Sequence, residues 1–446
     1  MAQKSGCSFA DLPGRFGLDL VEGLDTDIKT VHEQYTHRLA ALRLRFISST
    51  QLAPMERDAA DAATKAVVTR AGEDPNVALC CPKVRDAATA RDFQQQGMSP
   101  APWVEEYRRV FQRTTQCSEH EFFDQPVVHV IALSSAEADA GSLGDAFQQL
   151  QRQSPQPRII AQNIYSGDIP LYYVVVHDNA TSRTRAAELD KALQGLYGPG
   201  MSRLLQVNSG DGVTGWFTHQ DGMTIRAFMH DFASRYVVPC IERKIRTLYA
   251  NIAEHRKGFG NSLKSWFGGA QKAERVGVTL YAGNTPPQYT CVALESQIRL
   301  FADLTFMLED YDVALKHYRM VRDDYKNDRA NKCYAGAMEM IGVCLLYLGG
   351  SRREIETNLD QAIVIYQRER CTPLATRATF LLFDCYKLWR RNFDASRVLL
   401  RASDHETEND CRAAIMLELA GYCFLQMSPS QYEIRPALLT RRSVVP

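Results

Sequence analysis

Between Glu254 and Glu274 the chain contains no acid and carries Arg256, Lys257, Lys264 and Lys272. Within this stretch Phe259, Leu263, Trp266 and Phe267 fall at i, i+4, i+7 and i+8, one narrow face of a helix. Gly258, Gly260, Gly268 and Gly269 separate it from its neighbours. Large aromatic rings on one side with lysines beside them suit an interfacial anchor. The rings enter the headgroup zone of a bilayer while Lys257 and Lys264 meet anionic lipid. The same face could instead dock Trp266 on the rest of the chain or on a sister subunit, and the spacing leaves both readings open.

No other stretch carries a chemical motif of comparable definition. The chain has no G-x-x-x-x-G-K-[ST], no G-x-G-x-x-G after a strand, no H-E-x-x-H and no G-x-S-x-G. His177-Asp178 closes an apolar run, the place where α/β sheets often carry sites, but lacks the further His and Asp ligands of a metal phosphohydrolase. It and His120-Glu121, next to Phe122-Phe123, are expected to be helix-start and packing residues. The twelve cysteines include no C-x-x-C pair, which argues against a zinc knuckle or a thioredoxin-type centre. Several fall on helical apolar faces, where free cysteine acts as a small hydrophobe, as in a reduced, cytosolic protein. The expectation is a protein with no catalytic residue, cofactor or metal site.

The composition agrees. Of 446 residues, 45% are apolar and 23% charged, ordinary for globular domains, and two or three domains are expected. Lys plus Arg number 52, as do Asp plus Glu, so no overall field favours nucleic acid. No apolar stretch approaches the roughly 20 residues a membrane-spanning helix needs, and Met1 to Cys7 does not read as a secretory signal.

The elements that must position the basic segment follow from periodicity. Residues 1–98 are weakly patterned and read as mainly helical, with helices expected from Val31 to Phe46 and Ala59 to Val68. An α/β domain is expected over 99–223. Trp103, Tyr107 and Phe111 recur every fourth residue of a helix. Strands are read at Pro126 to Leu133, Leu171 to Val176 and Leu204 to Val207, with helices at Gly141 to Gln151 and Arg183 to Leu196 between them, giving a partly parallel sheet. A helical connector over 224–290 contains Ile225, Phe228, Phe232 and Tyr236 on one face, a kink at Pro239, then Ile241, Ile245, Leu248 and Ile252. The basic segment 256–269 hangs from its end.

Residues 291–428 read as helical repeats. The blocks beginning at Asp310, Asn358 and Asn392 resemble one another, and the last two lie 34 residues apart, the tetratricopeptide period. The first two lie 48 apart, implying a longer loop around Gly349-Gly350. Stacked pairs would make a tetratricopeptide-like α-helical solenoid, a partner-binding architecture. Residues 429–446 read as an irregular tail.

Several of these passages resemble the large TRAPP subunit specific to the TRAPP III complex. They are Pro102 to Arg108 with Glu119 to Phe122, Tyr172 to Asp178, Pro239 to Arg246, Arg256-Lys257-Gly258 with Ser262-Leu263 and Trp266-Phe267, Gln297-Ile298-Arg299, Ala302-Asp303-Leu304, Tyr325 to Asp328 and Tyr334 to Met340. The resemblance covers about 99 to 427. It implies a scaffold at one end of a rod-shaped tethering complex whose core activates a Rab GTPase in ER-to-Golgi transport and autophagy. Its α/β layer would be a degenerate, non-catalytic GTPase-like module. Membrane attachment would fall on Phe259, Leu263, Trp266 and Phe267 with Lys257 and Lys264. Expected partners are other TRAPP subunits, indirectly a Rab GTPase, and an anionic membrane surface, but no nucleic acid. The implied location is cytoplasmic and peripheral, on Golgi, ER–Golgi intermediate and autophagic membranes. The alternative is a helical-repeat adaptor with no membrane role. Animal members of that family are several times longer, so the chain reads either as a shortened member or as an incomplete gene model.

Overall fold

A computed structural model describes residues 20–29, 36–44, 46, 62, 65–66, 69, 107, 121–123, 125–153, 163–179, 183–208, 218–262, 276–279, 287–407 and 409–425. The chain forms two compact units, Met1–Ala53 with Glu119–His317, and Pro54–Ser118 with Tyr318–Pro446.

The first unit is built on a parallel sheet. Strand β3 (His129–Ser134), helix α1 (Leu143–Gln153), strand β4 (Leu171–Asp178), helix α2 (Arg183–Tyr197) and strand β5 (Ser202–Val207) alternate along the chain. The strands lie in the order β3-β4-β5, both pairings parallel. One face carries Ile131, Leu133, Tyr173, Val175 and Leu204 against Leu143 and Phe147 of α1 and Leu189 and Leu193 of α2. Tyr173 stacks on Tyr197 at 3.6 Å, and Phe147 meets both rings edge-on. Successive residues of a strand point to opposite faces, so Tyr172 faces the other way, onto Phe228, Phe232 and Tyr236. Burial of β4 on both faces is the reason its sequence, LYYVVV, is continuously apolar.

The second face is covered by one long helical run. Helix α3 (His219–Phe232) passes through a π-turn (Ala233–Val237) into helix α4 (Val238–Ser262). The expected kink at Pro239 takes this form. Pro239 has no N–H to continue the ladder, and the irregularity is absorbed in the residues before it, where the Val238 N–H reaches back to the Ala233 carbonyl. Asp221 fixes the start of the run. Its carboxylate accepts from the Thr218 N–H and hydroxyl, both at 2.8 Å, completing a capping box, and from the Asn208 N–H at 2.7 Å.

The N-terminal region departs from expectation. In place of a helix over Val31 to Phe46, strand β1 (Leu20–Lys29) pairs antiparallel with β2 (Thr36–Arg43), with a bulge between Glu22 and Thr26. Leu39 and Leu42 are buried; their i, i+3 spacing is that of one helical face and falls on opposite faces of a strand, so only pairing with β1 makes the segment extended. The hairpin meets α3 where the His230 ring is hydrogen-bonded to the Gly23 carbonyl at 3.0 Å. Ala62, Lys65, Ala66 and Thr69 are helical, in line with the second helix expected there.

The remaining helices follow without a break: α5 (Leu294–Met307), α6 (Tyr311–Asn327), α7 (Asn331–Tyr347), α8 (Arg352–Arg368), α9 (Thr372–Leu388), α10 (Asn392–His405) and α11 (Asp410–Leu425). From α7 onward each packs on the next. Gly342 of α7 lets this happen closely: a Cβ there would stand 2.9 Å from the Leu359 Cγ of α8. The turns share one design. Glu309, Arg329, Gly349, Arg370 and Arg390, 20 or 21 residues apart, all have positive φ. After each, a backbone N–H reaches five residues back: Asp310 to Thr305, Ala330 to Tyr325, Gly350 to Leu345, Cys371 to Tyr366 and Arg391 to Tyr386, at 2.7 to 3.0 Å. These are Schellman turns, which satisfy the last carbonyls of a helix with backbone alone.

The helix-pair period is therefore 40 to 41 residues, measured from Glu309 to Gly349 to Arg390, instead of 34. Asn358 lies in the second turn of α8; the counterpart of Tyr311 and Asn392 is Arg352, and the turn at Gly349-Gly350 is as short as the others. The first turn of α8, Arg352-Arg353-Glu354, is charged, so its apolar stripe becomes visible only from Ile355 and displaces the alignment.

Candidate functional site

The basic segment is reached along α4. Ile241, Ile245, Leu248 and Ile252 are buried at helical spacing, the stripe the sequence marks. The stripe stops at Ile252. Glu254, His255 and Arg256 are exposed in succession, while the helix continues to Ser262. His255 and Arg256, which hold the i+3 and i+4 positions from Ile252, are thus exposed where the stripe would continue. Lys257 and Phe259 sit on its last turns by backbone position. Leu263, Lys264, Trp266 and Phe267 lie outside the described residues. Among the described residues no helix is long and apolar enough to cross a membrane.

At the carboxyl ends of the sheet strands, His177 is fully buried and hydrogen-bonded through Nδ1 to Ser135 Oγ at 2.9 Å. The Asp178 carboxylate accepts from the Asn208 side-chain amide at 3.1 Å. Both tie strand ends together, as expected of packing residues. The β3–α1 connection presents Glu137 and Asp139 where a nucleotide-binding sheet places phosphate-binding amides. Asp139 is occupied by its own loop: it accepts from the Ser142 N–H at 3.1 Å and hydroxyl at 2.7 Å, and these bonds hold its carboxyl below the ordinary range. Among the described residues no cluster of His, Cys, Asp and Glu is placed to hold a metal. Burial pushes the Cys385 and Cys423 thiols up to about 11, leaving them protonated and unreactive.

The structure also joins segments that sequence reading left separate. Arg299 and Asp303 of α5 are both buried, with the guanidinium Nε 2.9 and 3.1 Å from the two carboxylate oxygens. The Phe122 N–H donates to Asp303 Oδ2 at 3.0 Å, and Glu121 lies 4.0 Å from the guanidinium. In the second unit, buried Glu339 of α7 receives Arg377 of α9 in a two-pronged grip at 2.7 and 2.6 Å, and the Tyr366 hydroxyl of α8 at 3.0 Å. Glu356 of α8 receives the Tyr386 hydroxyl at 2.6 Å and Arg391 at 2.9 Å. A charged residue inside an otherwise apolar helix, such as Glu339 in AGAMEMIGV, signals such a contact, because an unpaired buried charge is too costly to persist.

A small parallel α/β sheet with bonded strand ends, followed by serially packed helix pairs, defines an α/β-plus-helical-repeat protein. Over residues 1–215 and 213–390 the chain matches the family model TRAPPC-Trs85, described as ER-Golgi trafficking TRAPP I complex 85 kDa subunit. The chain belongs to that family, as the resemblance to a large TRAPP subunit implies. It is 33% identical over 217 residues to the human trafficking protein particle complex subunit 8, a match covering 47% of this chain and 15% of the human protein. The match thus spans only a small part of that relative's length.

Proposed function

We propose that this chain is a non-catalytic scaffold of a TRAPP III-type tethering complex and attaches it to membranes through 256–269. The observation that carries the reading is the end of α4. Its buried stripe is last seen at Ile252, Glu254, His255 and Arg256 are exposed, and the helix that bears Lys257 and Phe259 runs on to Ser262. Continued at helical spacing, Phe259, Leu263, Trp266 and Phe267 make one apolar face with Lys264 beside it. Each basic residue near an anionic surface contributes about 1 kcal/mol, so one such segment gives a weak, reversible attachment that the remaining subunits reinforce. The other subunits and, through them, a Rab GTPase are the protein partners in this reading. The site of action is the cytoplasmic face of Golgi, ER–Golgi intermediate and autophagic membranes.

The test is liposome flotation of the full chain against a Trp266→Asp, Phe267→Asp double variant, on neutral and anionic vesicles. Flotation of the unaltered chain alone, and only with anionic lipid, establishes the anchor. If neither floats while both retain their helical circular dichroism, the membrane role is wrong. The segment is then a protein-docking helix of an adaptor.

A further inference from the structure

Strand β5 lies at the edge of the parallel sheet, and among the described residues β4 is its only strand partner. The register decides where its amides point. The Tyr173 N–H donates to the Met201 carbonyl and the Asn179 N–H to the Val207 carbonyl, both at 3.0 Å. Backbone groups alternate in direction along a strand. Arg203 and Leu205 therefore also face β4, and the N–H and C=O groups of Ser202, Leu204 and Gln206 point away from it. Among the described residues no backbone group pairs with those three on that side. A groove of about 260 Å³ runs along it, lined by Asp190 and Gln194 of α2 and by Ser202, Arg203, Leu204 and Gln206 of β5.

Unpaired donors and acceptors in a row are a template for another strand, and natural edges are commonly blunted by Pro, bulges or charges. β5 has no Pro and its register with β4 is unbroken. Its one charge, Arg203, is drawn to Asp231 of α3 at 3.5 Å. Thr224 and Ala227, seven and four residues before Asp231 on the same helical face, put nothing bulky beside the edge.

The groove also selects what can fill it. Asp190 accepts from the Gln194 side-chain amide at 2.8 Å and forms no ion pair among the described residues. On that face β5 displays Ser202, Leu204 and Gln206, so a second copy pairing through its own β5 brings no cation to Asp190. A bilayer has no alternating N–H and C=O groups to match the edge, and anionic headgroups are repelled by the carboxylate.

We propose that β5 takes an extended segment of a partner protein as a further strand of the sheet. The segment's main chain pairs with Ser202, Leu204 and Gln206, and a Lys or Arg side chain on it meets Asp190. The inference is independent of the membrane role of 256–269.

The test places benzoylphenylalanine in the full chain at position 201, exposed at the start of the edge, in eukaryotic cells. Position 364, on the exposed side of α8, is the control. After irradiation the cross-linked peptides are sequenced by mass spectrometry. The expected result is adducts from 201, above those from 364, on a partner segment that alternates apolar and polar residues and contains Lys or Arg. Gln206→Pro removes an N–H that β4 does not use and lowers the yield about tenfold. Gln206→Val keeps that N–H and leaves the yield unchanged. Asp190→Lys lowers it about tenfold by repulsion, and decides alone should the proline variant melt early. Adducts no stronger than at 364, adducts on lipid or on another copy of this chain, or a segment of helical pattern or without a basic residue each overturn the proposal. So does a yield indifferent to Gln206→Pro or to Asp190→Lys in a folded variant.

Discussion

Asp303 accepts the backbone N–H of Phe122 at 3.0 Å, joining residues 181 positions apart, while the same carboxylate grips Arg299. The pair fastens the chain entering the α/β sheet to α5. Asp303→Ala takes the nearer carboxylate from the buried Arg299, leaving Glu121 at 4.0 Å, and leaves the Phe122 N–H without this acceptor. The expected loss is about 3–5 kcal/mol. Asp303→Asn keeps an acceptor and falls between. Urea unfolding of the full chain measures both, and a loss for Asp303→Ala within about 0.5 kcal/mol of zero sinks the assignment.

Glu339 plays the same part among α7, α8 and α9. Tyr366→Phe removes one hydroxyl donor and is expected to cost about 1 kcal/mol. Glu339→Ala costs about 3–5 kcal/mol. If the tyrosine change proves the more damaging of the two in parallel melts, the geometry has been misread.

Stability should fall in acid through Glu356. Burial opposes its ionisation, but the bonds from Tyr386 and Arg391 outweigh burial and depress its pKa below the ordinary 4.5. A depressed carboxyl stabilises the fold above its unfolded pKa and ceases to do so as pH falls through the lower folded value. The unaltered chain is therefore more stable than Glu356→Gln at pH 7, and the gap closes as pH drops below 4.5. A gap constant across that range would exclude this carboxylate as a source of the acid sensitivity.

Arg370 and Arg390 adopt left-handed conformations that glycine takes at no steric cost. Arg370→Gly should stabilise the fold by about 0.5 kcal/mol, the steric relief exceeding the entropic penalty of glycine. Gly349→Ala should destabilise it by about 1 kcal/mol. Thermal midpoints that move in the opposite directions would show that the turns are not closed as described.

Strands β3, β4 and β5 and helices α1 and α2 were legible because the apolar runs and the Ala186, Leu189 and Leu193 stripe have no competing interpretation. The first hairpin was not, since Leu39 and Leu42 are spaced as on a helix and the strand exists only through its partner. The repeat period was misread because the Schellman turns use backbone bonds. Their left-handed positions accept Glu309, Arg329 and Arg390 as well as Gly349, so no residue type marks them. For the basic segment, sequence supplied its composition and face; structure adds the exposure of Glu254, His255 and Arg256 just before it.

The turns have a further consequence. Because each is closed by main-chain bonds, an exposed apolar side chain such as Leu388 contributes little to holding the helices in register. Leu388 can be exchanged without reopening the joint beneath. The architecture thus separates frame from vocabulary: related chains could keep one ladder of helices while each edge acquires a different set of partners by point substitution.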